Sequence, residues 1–134
     1  MTVEWKEALA TGIKEIDDQH KELINIINQL LEACNQGKGK EEVGKVIKFL
    51  EDYVISHFKA EENIQLKYNY PDYAAHKAQH EHFIREFIKL KSQFDNHGVS
   101  SFFVVDINRA VVEWLIQHIC KTDVVLGKFL KTKI

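Results

Sequence analysis

The chain has 134 residues, of which 45% are hydrophobic, and this length and composition fit one domain with its own core. Its 18 basic and 20 acidic residues give a net charge of −2 without a long run of either sign, which argues against nucleic acid and anionic membranes as partners. The N-terminal MTVEWKEALATG is unlike a secretion signal and no run of about 18 apolar residues occurs, so we expect a cytoplasmic protein without a membrane span.

Residues 1–16 are predicted to form an N-terminal arm that packs across the rest of the chain. From residue 17 to 36, apolar side chains recur at steps of three and four, which predicts a first amphipathic helix. GKGK at 37–40 ends this helix, and the same periodicity predicts a second helix over 41–67.

The sequence YNYPDY then interrupts the pattern, and Pro71 suits the first turn of a third helix over 72–94. DNHGVSS is a further loop, in which His97 is expected to be exposed, and a fourth helix follows over 101–131. Four helices with short connections can bury their apolar faces by packing antiparallel. The predicted fold class is therefore all-α, an up-down-up-down antiparallel four-helix bundle that forms a single domain over residues 1–134.

Histidines of the third helix are the first candidates for a binding site. His76 and His80 are four residues apart and share a face about 40° wide, whereas His82 lies about 200° from His80 and is expected in solvent. A lone pair of this kind is more often a surface accident than a metal site. The other helices supply the further candidates, which are His20, His57, Glu61, His118 and Asp123.

These candidates lie at one height in the predicted bundle. Counted from the loop that joins them, the first and second helices place His20 and His57 16 residues away in each case. In the second hairpin the counts are 14 residues for His80 and 17 for His118, a difference that uncertain helix ends can absorb. One site shared by all four helices is therefore predicted.

Asp123 does not fit a regular helix, because it follows His118 by five residues and would lie about 140° around an ideal α-helix. A single π-type bulge between the two would turn both side chains toward the core, and such bulges are frequent at functional sites. Alternatively, the carboxylate reaches the site from its flank.

The chemistry of the candidate set points to two metal ions. Five imidazoles and two carboxylates exceed the four ligands of one zinc ion, and the set contains no thiolate. Mixed histidine and carboxylate ligation with open positions is typical of non-haem iron. The Glu-x-x-His motif of carboxylate-rich di-iron oxidases does not occur in the chain.

Taken together with His20, the segments HFKAEE at 57–62, AHKAQH at 75–80 and HICKTD at 118–123 resemble the hemerythrin family, in particular its bacterial single-domain members. The resemblance covers nearly the whole chain. It implies that one iron is bound by His76, His80 and His118, that a second iron with an open position is bound by His20 and His57, and that Glu61 and Asp123 bridge them. The implied cofactor is two iron ions (Fe²⁺/Fe³⁺) with an oxo or hydroxo bridge.

The same resemblance implies reversible dioxygen binding for storage, delivery or scavenging, by a protein that is not an enzyme. A reductase or a signalling protein would be a further partner. The residues that the family resemblance favours as the lining of an apolar oxygen pocket, although each could equally fill the core, are Ile24, Phe58, Trp114, Leu115 and Ile119. Two departures from the family bear on pocket polarity: Leu126 stands where many relatives carry a tyrosine, and Gln65 where methionine is frequent.

Three alternatives stay open beside dioxygen binding. One is an oxygen or redox sensor that signals to a separate partner, one is a di-iron redox or iron-handling enzyme, and the third is a purely structural zinc-filled bundle. The two cysteines do not decide among them. Cys34 is predicted about 21 Å from the metal layer and Cys120 within about 3 Å of it, so we expect free thiols, which suit the cytoplasm.

Overall fold

The computed structural model describes residues 3–134, and within that range every regular element is helical. Three helices are uninterrupted: α1 is Lys14–Asn35, α2 is Lys40–Lys67 and α3 is Tyr73–His97. The fourth, α4, runs over residues 101–131. Its α-helical parts are Ser101–Ile107, Trp114–His118 and Val124–Lys131, and its π-helical parts are Asn108–Glu113 and Ile119–Asp123. A short 3₁₀ turn, Glu7–Leu9, precedes α1.

Consecutive helices pack against one another, α1 on α2, α2 on α3 and α3 on α4. The loops that reverse the chain between them are short, at 36–39, 68–72 and 98–100. The predicted all-α four-helix bundle is thus confirmed. Among residues 3–134, no helix combines the length and the apolar character that crossing a membrane requires.

Two helix ends differ from the prediction, and the others agree within one residue. α1 begins at Lys14 rather than at residue 17, and α3 continues to His97, so the placement of His97 in a loop is wrong, although its side chain is exposed. Gly98 ends α3 with a φ of 68°, a conformation that favours glycine. The later end of α3 places His80 17 residues from the loop, the same separation as that of His118 on α4.

Two apolar clusters lie on either side of one polar layer. The larger cluster fills the end of the bundle that carries the α1–α2 and α3–α4 loops, and it includes Leu23 and Leu115. The smaller cluster lies at the opposite end and includes Ile16 and Leu126. Because the buried polar residues come between these positions along the chain, helix packing brings polar side chains from all four helices to one height.

The N-terminal arm lies against α1 and is held there by hydrogen bonds; residues 1 and 2 of the predicted arm lie outside the described range. The backbone N–H and the hydroxyl of Thr11 each donate to the Asp17 carboxylate at 2.8 Å. Val3 and the side-chain amide of Asn28 exchange two further hydrogen bonds of 2.8 Å. These bonds give the arm a defined position on the bundle.

We expect Gly127→Ala to lower the free energy of unfolding by about 1 to 3 kcal/mol, the usual cost of overpacking a buried position. Gly127 lies on α4 beneath the arm, and a Cβ atom there would overlap the backbone of Thr11 and lie 2.7 Å from its Cβ. Either the arm or α4 must therefore move. Urea unfolding of the metal-free protein measures the change.

Gly44→Ala on α2 is the matched control. A Cβ atom at this position would meet the Phe94 ring at 3.4 Å, which is an ordinary contact. Since alanine is favoured over glycine inside a helix, we expect the free energy of unfolding to rise by about 0.5 to 1 kcal/mol. An equal loss of stability in both variants would contradict the overlap at Thr11.

Candidate metal centre

The seven predicted ligand side chains meet in the polar layer and are shielded from solvent. Their exposed fractions are 0% for His20, Glu61, His80 and Asp123, 1% for His76, 3% for His57 and 4% for His118. Acidic residues are almost never buried to this degree without partners. Simple packing therefore does not account for the layer.

The seven side chains form two overlapping groups. One contains His76, His80 and His118 with both carboxylates, and the other contains His20 and His57 with the same two carboxylates. Within each group the candidate ligand atoms lie within 4.8 Å of one another. Atoms bound at about 2 Å to a common ion are at most about 4 Å apart, so each group has nearly the dimensions of a metal site.

Asp123 presents one carboxylate oxygen to each group. Its Oδ1 lies 2.9 Å from His76 Nε2 and 3.2 Å from His118 Nε2. Its Oδ2 lies 3.1 Å from His20 Nε2, on the side of the second group. The carboxylate is therefore oriented as a bridge.

Glu61 divides its oxygens in the same way. Oε1 lies 3.2 Å from His80 Nε2, whereas Oε2 lies 3.1 Å from His20 Nε2 and 3.2 Å from His57 Nε2. Two carboxylates, each turned toward both imidazole groups, form the arrangement that a pair of adjacent cations requires.

The π-helical stretch Ile119–Asp123 directs Asp123 into this layer. In a π-helix the hydrogen bonds join residues five apart, so a separation of five returns the chain to the same face. The predicted π-type bulge after His118 is confirmed. A carboxylate that reaches in from the flank, the alternative, is wrong, because Asp123 is fully buried between the two histidine groups.

A second π-helical stretch, Asn108–Glu113, is not among the predicted elements, although the sequence carries a signal for it. Along α4 the buried positions recur every four residues: Phe103, Ile107, Val111, Leu115, Ile119, Asp123 and Gly127. In an α-helix each such step drifts by about 40°, so six steps would turn the buried stripe by about 240°. The wider π-helical turns offset this drift and keep one face of α4 on the core.

Amide side chains orient two of the imidazoles from outside the layer. Nδ1 of His57 lies 2.6 Å from Gln19 Oε1, and Nδ1 of His118 lies 2.8 Å from Gln79 Oε1. When Nδ1–H donates to an amide oxygen, Nε2 keeps its lone pair for a cation. These hydrogen bonds therefore select the tautomer that a metal ligand needs.

The two histidines of α3 have corresponding partners on α2. The side-chain amide of Gln65 lies 3.1 Å from His76 Nδ1, and Glu62 Oε2 lies 2.8 Å from His80 Nδ1. Gln65, one of the departures from the family pattern, is fully buried. Its position shows that the amide contacts a predicted ligand rather than solvent.

Gln19, Glu62 and Gln79 are not among the residues predicted from the sequence. A repeated Gln-His pair is the signal that could have identified two of them. Gln19 and Gln79 each directly precede a predicted ligand, His20 or His80, and each contacts a histidine on another helix. Glu62 directly follows a predicted ligand and has no comparable repeat.

Both carboxyl groups are held in the ionised form in spite of their burial. Burial raises the pKa of Glu61, but the charge of His57 and a hydrogen bond from His20 hold that pKa well below its usual range. Burial and Glu61 raise the pKa of Asp123, but His118 and His20 lower it below its usual range. The layer therefore carries negative charge that no water can solvate.

Several atoms of the layer lack a hydrogen-bond partner in the described part of the chain. They are Glu61 Oε1, both carboxylate oxygens of Asp123 and His80 Nε2, all of them buried. Buried polar atoms without partners are costly, and buried charges are otherwise paired or coordinate metals. The donor set therefore fits a pair of cations.

Two of the residues predicted to line an oxygen pocket stack directly on ligand imidazoles. The Phe58 ring lies 3.8 Å from the His80 ring at an angle of 3°, and the Trp114 ring lies 4.6 Å from the His118 ring at 11°. Both contacts place apolar surface against the layer and restrict the orientation of the imidazoles.

The other three predicted pocket residues are buried in two apolar clusters. Ile24 and Ile119 pack with Leu9 of the N-terminal arm, and Leu115 belongs to the larger core cluster together with Phe58. The arm therefore contributes one wall to the apolar surroundings of the layer.

The remaining candidates lie outside the layer. His82 is exposed, as predicted, and so is His97. Cys34 and Cys120 are free thiols, and burial raises the pKa of the Cys34 thiol.

Comparison with known proteins gives a consistent family relationship. Residues 11–130 match a family model described as the hemerythrin HHE cation binding domain. The chain is 36% identical over 127 residues to a bacteriohemerythrin of Methylococcus capsulatus, which covers 94% of this chain and 95% of that one. A hemerythrin-like protein of Naegleria gruberi is 31% identical over 119 residues, with coverages of 89% and 86%.

Solved structures agree with this relationship. A crystal structure of wild-type hemerythrin superposes with a TM-score of 0.84 at 34% identity, and the match covers 96% of this chain and 97% of that one. A crystal structure of a hemerythrin variant gives the same TM-score at 33% identity.

We expect ferrous ion to raise the unfolding temperature more at about pH 8 than at about pH 6, because metal must displace protons from the imidazoles. Burial lowers the pKa of His20 and of His76, but hydrogen bonds to Asp123 and Glu61 outweigh it and raise both to about 9, against an ordinary 6.5. These protons stabilise the metal-free protein fully below about pH 6.5, and the stabilisation is lost as the pH rises through about 9.

Anaerobic thermal unfolding with and without ferrous ion, at both pH values, measures this effect. His82→Gln is the control, because His82 is exposed and should leave the pH difference unchanged. A metal-induced rise that is equal at both pH values, or larger at the lower one, would contradict displacement of these protons.

Proposed function

The chain belongs to the hemerythrin family, and on this basis we propose that it binds dioxygen reversibly at a non-haem di-iron centre, for oxygen storage, delivery or scavenging. The observation that carries the proposal is the pair of overlapping ligand groups that share both buried carboxylates. When bound, two ferrous ions supply the electrons on which tight but reversible dioxygen binding depends.

The proposed ligand assignment follows the two groups. His76, His80 and His118 hold one iron and His20 and His57 hold the other, while both carboxylates bridge them. The first group offers five donor residues and the second offers four. The second group is therefore the one that leaves a position for an external ligand, as sites of this donor type commonly do.

Apolar side chains keep water away from that position. Ile24 and Ile119 are 6% and 1% exposed, and they pack with Leu9 of the arm. An apolar, water-poor pocket disfavours protonation and displacement of a bound oxygen species, which reversibility demands. We assign Ile24, Phe58, Trp114, Leu115 and Ile119 to this pocket.

The composition of the buried layer supports a binding protein rather than an enzyme. Among residues 3–134, the buried polar side chains other than the seven proposed ligands are Thr11 and Gln65. Neither is a titratable group that could deliver protons to reduced oxygen as a general acid. With both cysteines free, we also propose a cytoplasmic location, where thiols stay reduced and a separate reductase could restore the ferrous state.

One contact favours oxygen sensing as a second candidate function. Leu9 belongs to the arm and packs on Ile24 and Ile119, two of the proposed pocket residues. A change in the pocket on oxygen binding would therefore be felt by the arm, which could signal to a separate partner. Protease sensitivity of the arm that changes between the deoxygenated and oxygenated protein would support this candidate.

Visible spectra test the principal proposal. Protein loaded anaerobically with ferrous iron is measured before exposure to oxygen, after it and after removal of oxygen. We expect a ligand-to-iron charge-transfer band that appears on oxygenation and disappears when oxygen is removed. A band that never forms, or that decays within seconds to a stable ferric spectrum, would exclude a carrier and favour a sensor or a redox enzyme.

We expect Ile119→Thr to accelerate irreversible oxidation of the oxygenated protein by about tenfold, since a buried hydroxyl that recruits water changes local energies by about 1 to 3 kcal/mol. The decay of the charge-transfer band gives the rate. Val125→Thr is the control on the same helix, because Val125 is 49% exposed. An unchanged rate in Ile119→Thr with full iron content would mean that Ile119 only fills the core.

A further inference from the structure

The hydrogen bonds behind the proposed ligands are chemically unequal. Three of the four imidazoles that have an outer partner face an amide, from Gln19, Gln65 or Gln79. His80 alone among these four faces a carboxylate, from Glu62. The outer shell therefore carries one negative charge, and it lies behind the group of three histidines.

The His80 ring is constrained on three sides. Glu62 Oε2 lies 2.8 Å from Nδ1, and Oε1 of the adjacent Glu61 lies 3.2 Å from Nε2. Two consecutive residues of α2 thus place carboxylates at opposite ends of one imidazole. Phe58 stacks on the ring face, and the Glu62 side chain is only 18% exposed.

A carboxylate acceptor acts on an imidazole differently from an amide. Hydrogen bonds with an ionised partner are roughly twice as strong as neutral ones. A carboxylate on Nδ1–H also makes Nε2 more basic, so that Nε2 donates more electron density to a metal. Because Glu62 is largely shielded from water, its charge is screened little by solvent.

On the side of the second group this charge is missing. His57 faces the neutral Gln19, and Nδ1 of His20 has no hydrogen-bond partner in the described residues. The two proposed iron positions therefore differ in outer charge as well as in the number of histidines.

We propose that Glu62 is a positioning residue that acts through His80 to stabilise the ferric state of the iron held by His76, His80 and His118. The inference rests on the proposed di-iron site. Glu62 makes that iron, which lacks the open position, the stronger electron donor of the two. Oxygen affinity is thereby raised without a polar group in the oxygen pocket.

Glu62→Gln tests the proposal, because the amide retains an acceptor for Nδ1–H and removes only the charge. We expect the reduction potential of the centre to rise, and a tenfold change in the preference for ferric over ferrous iron corresponds to about 59 mV for one electron. The affinity of the metal-free protein for Co²⁺, used as an oxygen-independent probe, should fall by about tenfold to 100-fold.

Two matched variants complete the experiment. Gln79→Glu keeps the acceptor for His118 and the contact with Thr122 while adding a charge, so the reduction potential should fall. Glu81→Gln removes one charge at an exposed position beside His80 and should change neither quantity. Circular dichroism establishes that all variants are folded.

The outcomes separate this proposal from the proposed function. Equal potentials and Co²⁺ affinities in Glu62→Gln and the parent protein would overturn the role of the Glu62 charge, as would an equal shift in Glu81→Gln. If no oxygen band forms in the parent protein, the proposed function fails, yet the potentials and Co²⁺ affinities still decide the role of Glu62.

Discussion

The burial of two ionised carboxylates at the centre of the bundle is the constraint on which the rest of the structure depends. Glu61 and Asp123 are fully enclosed, and a carboxylate in such a place is tolerated only when positive charge and hydrogen-bond donors surround it. Five imidazoles do this from four helices, which must therefore keep a common register. The apolar clusters above and below the layer fix that register, so core packing and ligand geometry are aspects of one arrangement.

The cost of this arrangement falls mainly on α4. A regular helix cannot keep buried side chains every four residues on one face, yet α4 does so from Phe103 to Gly127. The two π-helical stretches resolve the conflict. The second brings Asp123 onto the face of His118, whereas the first, Asn108–Glu113, contributes no ligand and keeps the helix aligned before the layer begins. A functional requirement at one point of the helix is thus accompanied by an adjustment two turns earlier.

Much of this could be predicted from the sequence, because apolar periodicity reports helices and spacing reports shared faces. The five-residue step from His118 to Asp123 predicted a bulge for the same reason. The start of α1 was missed because Asp17, taken as the helix boundary, lies in the first turn and accepts hydrogen bonds from the arm. The end of α3 was missed because its last residues are polar and carry no periodicity. The outer partners depend on contacts between helices, which a single sequence does not specify.

The unequal surroundings of the two ligand groups indicate how the fold separates two tasks. The group with three histidines has more donors and the only outer carboxylate, features that favour firm retention of an oxidised ion. The group with two histidines has fewer donors and lies on the side where Ile24 and Ile119 meet the arm. Charge is thus kept behind one ion while the surroundings of the other stay apolar. A symmetric distribution of ligands would offer an external molecule no preferred position, whereas this asymmetry gives it one.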